Sequence, residues 1–415
     1  MPLASEALAQ YFRSEAGTLV ASLTRQLGDF DLAEEAVQDA IVEALRHWPD
    51  SGVPREPGAW LRVTARRKAT DRLRREGRLR DRIELMGRLD ATQEDQASTV
   101  LDDRLVLIFM CCHPVLSREA QVALTLRSLL GLTTAQLAKA FLTSEATITK
   151  RIVRAKRKIV EAKIQFAIPQ SDDVDDRLAE VLTSLYVTFN EGYLSAGPLA
   201  SQRAELADDA EWLAGLLLQL LPDEPEVIGL LALIRLHQAR RLARFDSAGN
   251  LVLLQDQDRS LWDQAAIEDS VRLLSRALHM GRPGVYQCQA AIAACHARSR
   301  RWEDTDWGLI ISLYDQLLAI SDSPVAALNR AIAIGECSGA QQGLEAIRAI
   351  RNPERLAKYP FYFAALGKFE LQSGEYENAR EHFLAALALA RNPMERHFLE
   401  QRVIACNSTS AQRAS

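Results

Sequence analysis

Long apolar runs are missing from this 415-residue chain. None approaches the roughly 18–20 residues that a bilayer-spanning helix needs, so no membrane association is expected. The first residues, MPLASEALAQYFRSEAG, show no basic segment followed by an apolar core, and no secretory signal is expected. Cysteine is sparse. The six cysteines, at 111, 112, 288, 295, 337 and 406, have no disulfide-framework spacing, which points to reduced thiols in a cytoplasm. Alternating β-branched runs are scarce and low-complexity sequence is absent. No Gly-rich phosphate loop and no Ser-His-Asp order stand out, so neither an enzyme nor a cofactor is expected.

What is present is an ordinary globular composition, 48% hydrophobic and 25% charged, in a chain long enough for several domains. Charge is divided unevenly. Residues 1–165 hold 26 Lys/Arg against 22 Asp/Glu, while the remainder holds 24 against 33. The basic excess concentrates in RVTARRKATDRLRREGRLR (62–80), with nine Arg or Lys and only Asp71 and Glu76 in opposition. A solvated helix face and a polyanion-binding surface are both open readings of such a run. The charge asymmetry favours a nucleic-acid-facing front and a back half with another task.

Apolar residues recur at three- and four-residue spacing nearly throughout, which predicts an all-α protein. A first helical segment, 5–28, ends at Gly28-Asp29. Asp31 precedes the helix LAEEAVQDAIVEALRHW, which Pro49 is expected to stop. A third helix starts near Ala59, with Leu61, Ala65, Ala69 and Leu73 on one stripe. Residues 83–101 read as a linker, with helices resuming at Asp102. PQSDDVDD (169–176) marks another boundary. The division expected is 1–82, a linker 83–101, 102–166, a linker 167–176, 177–304 and 305–405.

LTTAQLAKAFLTSEATITKRIVRAKRKI (132–159) has the shape of a helix-turn-helix. TAQLAKAF forms the first helix, and Ser144 is a good N-cap for a second that becomes strongly basic. Thr147, Thr149, Lys150, Arg151 and Arg154 have the chemistry to meet DNA in the major groove. Lys156, Arg157 and Lys158 would meet its backbone. A generic helical hairpin is the alternative.

Two basic helical modules joined by a linker resemble a bacterial RNA polymerase sigma factor of the extracytoplasmic-function (ECF) group, over residues 5–165. AEEAVQDAIVEAL (33–45) resembles the region 2.2 helix that docks on the clamp coiled coil of the polymerase β′ subunit. Glu35, Gln38 and Asp39 match its acidic–Gln–acidic positions, and their i, i+3, i+4 spacing puts them on one helix face. PGAWLRVTARRKATDRLRR (57–75) is similar to regions 2.3 and 2.4, in which Trp60, Leu61, Ala65, Asp71 and Arg74 fit the pattern. The resemblance implies that Trp60, Arg66, Arg67, Lys68, Arg72, Arg74 and Arg75 handle the −10 element as single strand. Arg67 stands where many members carry Asn, which departs from the group at a base-capturing turn. The helix-turn-helix matches region 4 and would read the −35 element as duplex, through Ser144, Thr147, Thr149, Lys150, Arg151, Arg154 and Arg157. The partners so implied are core RNA polymerase, through its β′ clamp and β subunits, and promoter DNA, both duplex and single-stranded.

The chain continues for about 245 residues past the point where such a factor ends. FYFAALGKFELQSGEYENAREHFLAALALARNP (361–393) fits a tetratricopeptide (TPR) pattern through Phe363, Leu366, Gly367, Ala379, Phe383 and Ala386. VAALNRAIAIGECSGAQQGLEAIRAI (325–350) reads as a degenerate copy, with Ala331 and Gly343 at equivalent points. A subgroup of ECF factors carries a helical extension ending in TPR-like repeats and containing stretches like TFNEGYLSAGP (188–198) and DQDRSLWD (256–263). The resemblance implies a regulatory extension that meets a regulatory protein or ligand.

Metal readings are weak. CCHP (111–114) continues an apolar helix, so packed thiols are expected. Cys288, Cys295 and His296 share an Ala-rich helix without zinc-site spacing. Asp256, Asp258 and Asp263 suit a turn plus helix caps better than a cation site. Two further function classes stay open: a helix-turn-helix regulator acting without polymerase, and a TPR adaptor whose basic front binds RNA or an acidic protein.

Overall fold

Helices begin and end in this chain largely where its capping residues place them. The computed structural model describes residues 2–75, 96–141, 143–169, 171–193, 200–246, 250–390 and 393–413. Among these the fold is all-α, with eighteen α-helices joined by turns and short 3-10 segments. Strand-type pairing among the described residues is limited to an isolated bridge, Phe245 to Leu251.

The first three helices are α1 (Pro2–Leu27), α2 (Phe30–Ser51) and α3 (Pro57–Arg75). Asp29 caps α2, its carboxylate accepting the Leu32 N–H at 3.1 Å, and Asp31 falls in the first turn. Pro49 does not stop α2, contrary to the sequence expectation. It lies in the final turn, where a missing N–H forfeits a single bond, and Gly52 N–H closes the end on Trp48 O at 3.0 Å. The α3 stripe is as expected: Leu61, Ala65, Ala69 and Leu73 are all buried. Each of its two leucines is worth about 1.5–3 kcal/mol of burial. The opposite face is thereby left to the cations.

Residues 76–95, with Arg78, Arg80 and most of the expected linker, lie outside the described residues. Helices resume with α4 (Gln96–Cys111), ahead of the expected Asp102, and continue as α5 (Arg118–Leu130), α6 (Thr134–Ala140) and α7 (Glu145–Glu161). Cys111 and Cys112 are packed thiols, with Cys112 Sγ 3.4 Å from Thr125 Oγ1. Burial pushes both thiols upward in pKa, so they stay protonated. Next come α8 (Ser171–Tyr193) and α9 (Ala200–Leu220). Arg177 of α8 donates to Phe109 O at 2.7 Å, and Arg118 of α5 donates to Glu180 O and Ser184 Oγ, both at 3.1 Å. These bonds join α8 to the helices before it. Helices α1–α9 form one compact unit and the remaining helices a second.

The second unit comprises α10 (Pro225–Gln238), α11 (Gln264–His279), α12 (Val285–Arg298), α13 (Trp307–Ile320), α14 (Pro324–Ser338), α15 (Ala340–Arg348), α16 (Pro360–Gln372), α17 (Tyr376–Ala388) and α18 (Pro393–Arg413). Neighbours in sequence pack together along this series, and α10 also packs on α12. At Gly367 a Cβ would stand 3.0 Å from Ala379 O and 3.1 Å from the Phe383 ring, so α16 and α17 approach too closely for a larger residue. Ala379, Phe383 and Ala386 are buried at this contact, as the sequence pattern implied.

The DQDRSLWD stretch is a brace between α10 and α12. Asp258 accepts from Ser260 N–H and hydroxyl at 2.9 and 2.7 Å, and Asp263 caps α11 through Ala266 N–H at 2.9 Å. The aspartates are thus turn and cap residues. Arg259, which the sequence did not single out, donates to His296 O at 2.7 Å and Ser299 O at 2.5 Å and stacks on the buried Trp262 ring at 4.5 Å.

Candidate nucleic-acid and docking surfaces

Two helices of the first unit carry the cations, and each owes its exposed face to an apolar stripe on the other side. In α7 the stripe is Ile148, Ile152, Ala155 and Ile159, all buried. Thr133 and Gln136 form a capping box at the start of α6, and Ser144 caps α7 by accepting Thr147 N–H at 3.2 Å. Leu142, in the turn, lies outside the described residues. Ser144, Thr147, Thr149, Lys150, Arg154 and Arg157 are exposed, and Arg151 is half-buried. The geometry therefore brings all seven expected duplex-facing residues onto one helix and its cap. Thr147 Oγ1 lies 2.8 Å from Ser144 Oγ, and Thr149 Oγ1 donates to Glu145 O at 2.9 Å.

Lys156 turns the other way. It is buried, and its ammonium lies 2.5 Å from both Asp31 Oδ1 and Glu34 Oε2 of α2. Glu34 is completely buried and takes a second cation, Arg127 of α5, with Nε donating to Oε1 at 2.5 Å. Gln38, one turn further along α2, is also buried and donates from Nε2 to Arg127 O at 3.3 Å. Spacing of four residues from Glu34 to Gln38 puts both groups opposite the same turn of α5.

The basic helix α3 is partly neutralised by α2. Arg72 pairs with Glu35 and, at 2.8 Å, with Asp39. Arg67 pairs with Glu43 at 2.9 Å, and Lys68 pairs with the same carboxylate. The Lys68 bond holds the Glu43 carboxyl below its usual range, whereas burial raises that of Asp39 against the pull of Lys68. Arg66 is half-buried and donates to Gln26 Oε1 at 3.4 Å. Arg74 and Arg75 are exposed, as is Arg62. Trp60 is half-buried and meets the buried Trp48 edge to face at 5.3 Å.

Sequence reasoning missed Glu43, Arg127, Glu34 and the inward course of Lys156. Glu43 had a local signal, since Glu35, Asp39 and Glu43 form a four-residue stripe. The others had none, because their partners lie far away in the chain.

An all-α unit with exposed cationic faces on two of its helices presents surfaces suited to a polyanion such as nucleic acid. Residues 11–79 match the family described as Sigma-70 region 2, and residues 107–159 match Sigma-70, region 4. Residues 177–278 match a family of unknown function, DUF6596. A protein of Rhizobium meliloti (strain 1021), described as uncharacterized, is 42% identical over 391 residues, 92% of either chain. The chain belongs to the sigma-70 family, as an ECF-like sigma factor with a C-terminal extension. No helix among the described residues is long and apolar enough to cross a membrane.

Proposed function

We propose that this chain binds core RNA polymerase, reads a −35 element as duplex, and helps to open and hold a −10 element as single strand. The observation that carries the reading is the presence of two exposed cationic helix faces, on α3 and α7, in modules matching sigma regions 2 and 4. Phosphate contacts from Arg154 and Arg157 would set the register of α7, and Thr147, Thr149 and Lys150 would face base edges. On α3, Arg74 and Arg75 would grip the displaced strand, with Arg66, Arg67, Lys68 and Arg72 behind them and Trp60 as aromatic scaffold. Glu35, Gln38 and Asp39 would meet the basic β′ coiled coil by charge complementarity, with region 4 meeting the β subunit.

On this reading the chain performs no bond chemistry and works in the cytoplasm with the polymerase. The acidic C-terminal half, including its TPR-like helix pairs, regulates activity through a protein or ligand partner. Support for that role is the charge division, basic in front and acidic behind. In vitro transcription with purified bacterial core polymerase on a genomic promoter library tests the proposal. Start sites that require the added chain are the expected result; core polymerase giving the same transcripts with and without it would refute the sigma role. Repeating the assay with a chain ending at Leu221 gives the sign of regulation: more transcript marks an inhibitory extension, and less marks a required one.

A further inference from the structure

Glu43 of α2 belongs to neither the docking set nor the strand-handling set, yet it orders the middle of α3. Its carboxylate takes Arg67 Nη2 on one oxygen at 2.9 Å and Lys68 on the other. The Lys68 bond holds the carboxyl below its usual range and so keeps it ionised. Lys68 is half-buried beside it, whereas the Arg67 side chain stays 60% exposed. The other cations assigned to the strand differ. Arg66 and Arg72 are half-buried, while Arg74 and Arg75 are exposed and meet no carboxylate among the described residues. Arg67 is thus the member of that set that is exposed and anchored at once. Val63, one turn before it on the same face of α3, is 68% exposed.

We propose that Arg67, held in place by Glu43, reads the edge of a guanine in the single-stranded −10 element, with Val63 against the face of that base. The proposal rests on the −10 reading of α3 given above. It assigns Glu43 as a positioning residue and Arg67 as the residue that selects a base. Three physical points carry it. A guanidinium that already faces a carboxylate gains little from a phosphate, because the phosphate would be set against Glu43 and few counterions would be released. An uncharged base edge brings no such repulsion, and guanine offers two acceptors, O6 and N7, to the parallel N–H donors of the fork. Anchoring by Glu43 also removes side-chain freedom before the strand arrives, so less is lost when the base is bound. Lys68 on the second oxygen fixes the plane of the carboxylate, and with it the direction of the guanidinium. An exposed apolar side chain one turn away suits the face of an unstacked base and gives a phosphate nothing. Grip on the backbone is left to Arg74 and Arg75, whose charge is unopposed among the described residues.

The test uses the full-length chain and two variants, Arg67→Gln and Glu43→Gln. Each is assayed with purified bacterial core polymerase on a promoter library randomised through the −10 element. Binding to single-stranded oligonucleotides of the −10 sequence is then followed against salt. The parent is expected to favour guanine at one −10 position by roughly tenfold, within the range of one bidentate pair. Arg67→Gln is expected to move that preference to adenine, whose N6 and N7 suit a Gln amide. Its salt slope should change by much less than the ~0.7 of a phosphate contact. Glu43→Gln keeps the shape of the side chain without its charge. It is expected to blunt the same guanine preference and to raise the slope by up to about 0.7, as Arg67 turns to phosphate. Should Arg67→Gln lose helicity by circular dichroism, Arg67→Lys replaces it, keeping the charge without the planar fork, and the guanine preference should weaken. A slope lowered by about 0.7 in Arg67→Gln, with every base preference as in the parent, would make Arg67 a phosphate contact and overturn the proposal. Full guanine preference in Glu43→Gln would overturn the positioning role of Glu43. Initiation that depends on the chain but shows no guanine preference would overturn the base reading alone. Transcripts identical with and without the chain would refute the sigma role, and this assignment with it.

Discussion

Lys156 of the helix-turn-helix and Glu34 of α2 lie 2.5 Å apart, in contact across the two modules that carry the cationic helices. Glu34 is fully buried and Lys156 nearly so, and Arg127 stands on the carboxylate's other oxygen. Burying such a group costs several kcal/mol per ion unless it is paired, so the three residues hold or fail together. Glu34→Ala is expected to destabilise the first unit by about 3–5 kcal/mol, because Arg127 loses its carboxylate and the buried Lys156 keeps only the exposed Asp31. Urea denaturation with a helix signal measures this. A loss within 0.5 kcal/mol, the scale of an ordinary surface substitution, would show that the cluster is solvated in solution.

The cations of α3 are not equivalent. Arg74 is exposed, whereas Arg72 is tied to Glu35 and Asp39. In single-strand binding measured against salt, Arg74→Ala is expected to lower the salt slope by about 0.7, the value for one phosphate contact. Arg72→Ala is expected to lower it by less. Equal slopes for the two variants would mean that Arg72 leaves its carboxylates on binding DNA.

For duplex DNA the exposed α7 face sets the expectation. Arg154→Ala should weaken binding to a −35 duplex and reduce its salt slope by about 0.9. Its stability should stay within about 0.5 kcal/mol of the parent, since the residue is exposed. Fluorescence anisotropy on duplex probes checks the first statement and thermal unfolding the second.

In the second unit His296 stacks on Trp302 at 5.8 Å and meets Trp307 edge-on at 5.4 Å. Burial, with Arg240 and Arg259 nearby, pushes its pKa down to about 4 from an ordinary 6.5. His237 is shifted in the same direction, first by burial and then by Arg240 and Arg244. The folded form therefore binds fewer protons than the unfolded chain between pH 6.5 and 4. Stability is complete above pH 6.5 and is lost as pH falls through that window, by up to about 1.4 kcal/mol per pH unit for His296, with His237 adding to the loss in the same direction. His296→Phe, which keeps the stacking, should flatten the decline. Denaturation of the second unit followed at pH 7, 6 and 5 tests the slope.

At the close α16–α17 contact, Gly367→Ala adds a methyl 3.0 Å from Ala379 O and 3.1 Å from the Phe383 ring. The helix gains up to about 1 kcal/mol of propensity, while overpacking costs about 1–3 kcal/mol. Net destabilisation is expected, read as a lower melting temperature. A raised melting temperature would show that the two helices separate readily.

Local chemistry made much of this legible. Leu61, Ala65, Ala69 and Leu73 announced the buried side of α3, and therefore its cationic side, through a four-residue period. Ser144 announced the start of α7, and the whole expected duplex-facing set lies on that helix and its cap. Asp258 and Asp263 read correctly as turn and cap residues, since each bonds within three positions of itself. Pro49 misled because its position in the final turn, rather than its identity, sets its cost.

Other features had no local trace. Lys156 belongs to a run of three cations, and nothing in KRK distinguishes the one that turns inward. Its partner Asp31 lies 125 residues away, and Gln38 finds its acceptor across 89 residues. Arg259 likewise reaches 37 and 40 residues forward to two carbonyls. Periodicity and capping are short-range effects of helix geometry, so the sequence by itself determined the helices, their apolar faces and the two cationic surfaces. Which charges face solvent and which neutralise one another depends on helices brought together from distant parts of the chain. Tertiary packing alone decided that Glu34 is buried, that Lys156 and Arg127 share it, and that Gln38 is covered, because low-dielectric burial makes each such charge stable only with the partner that packing supplies.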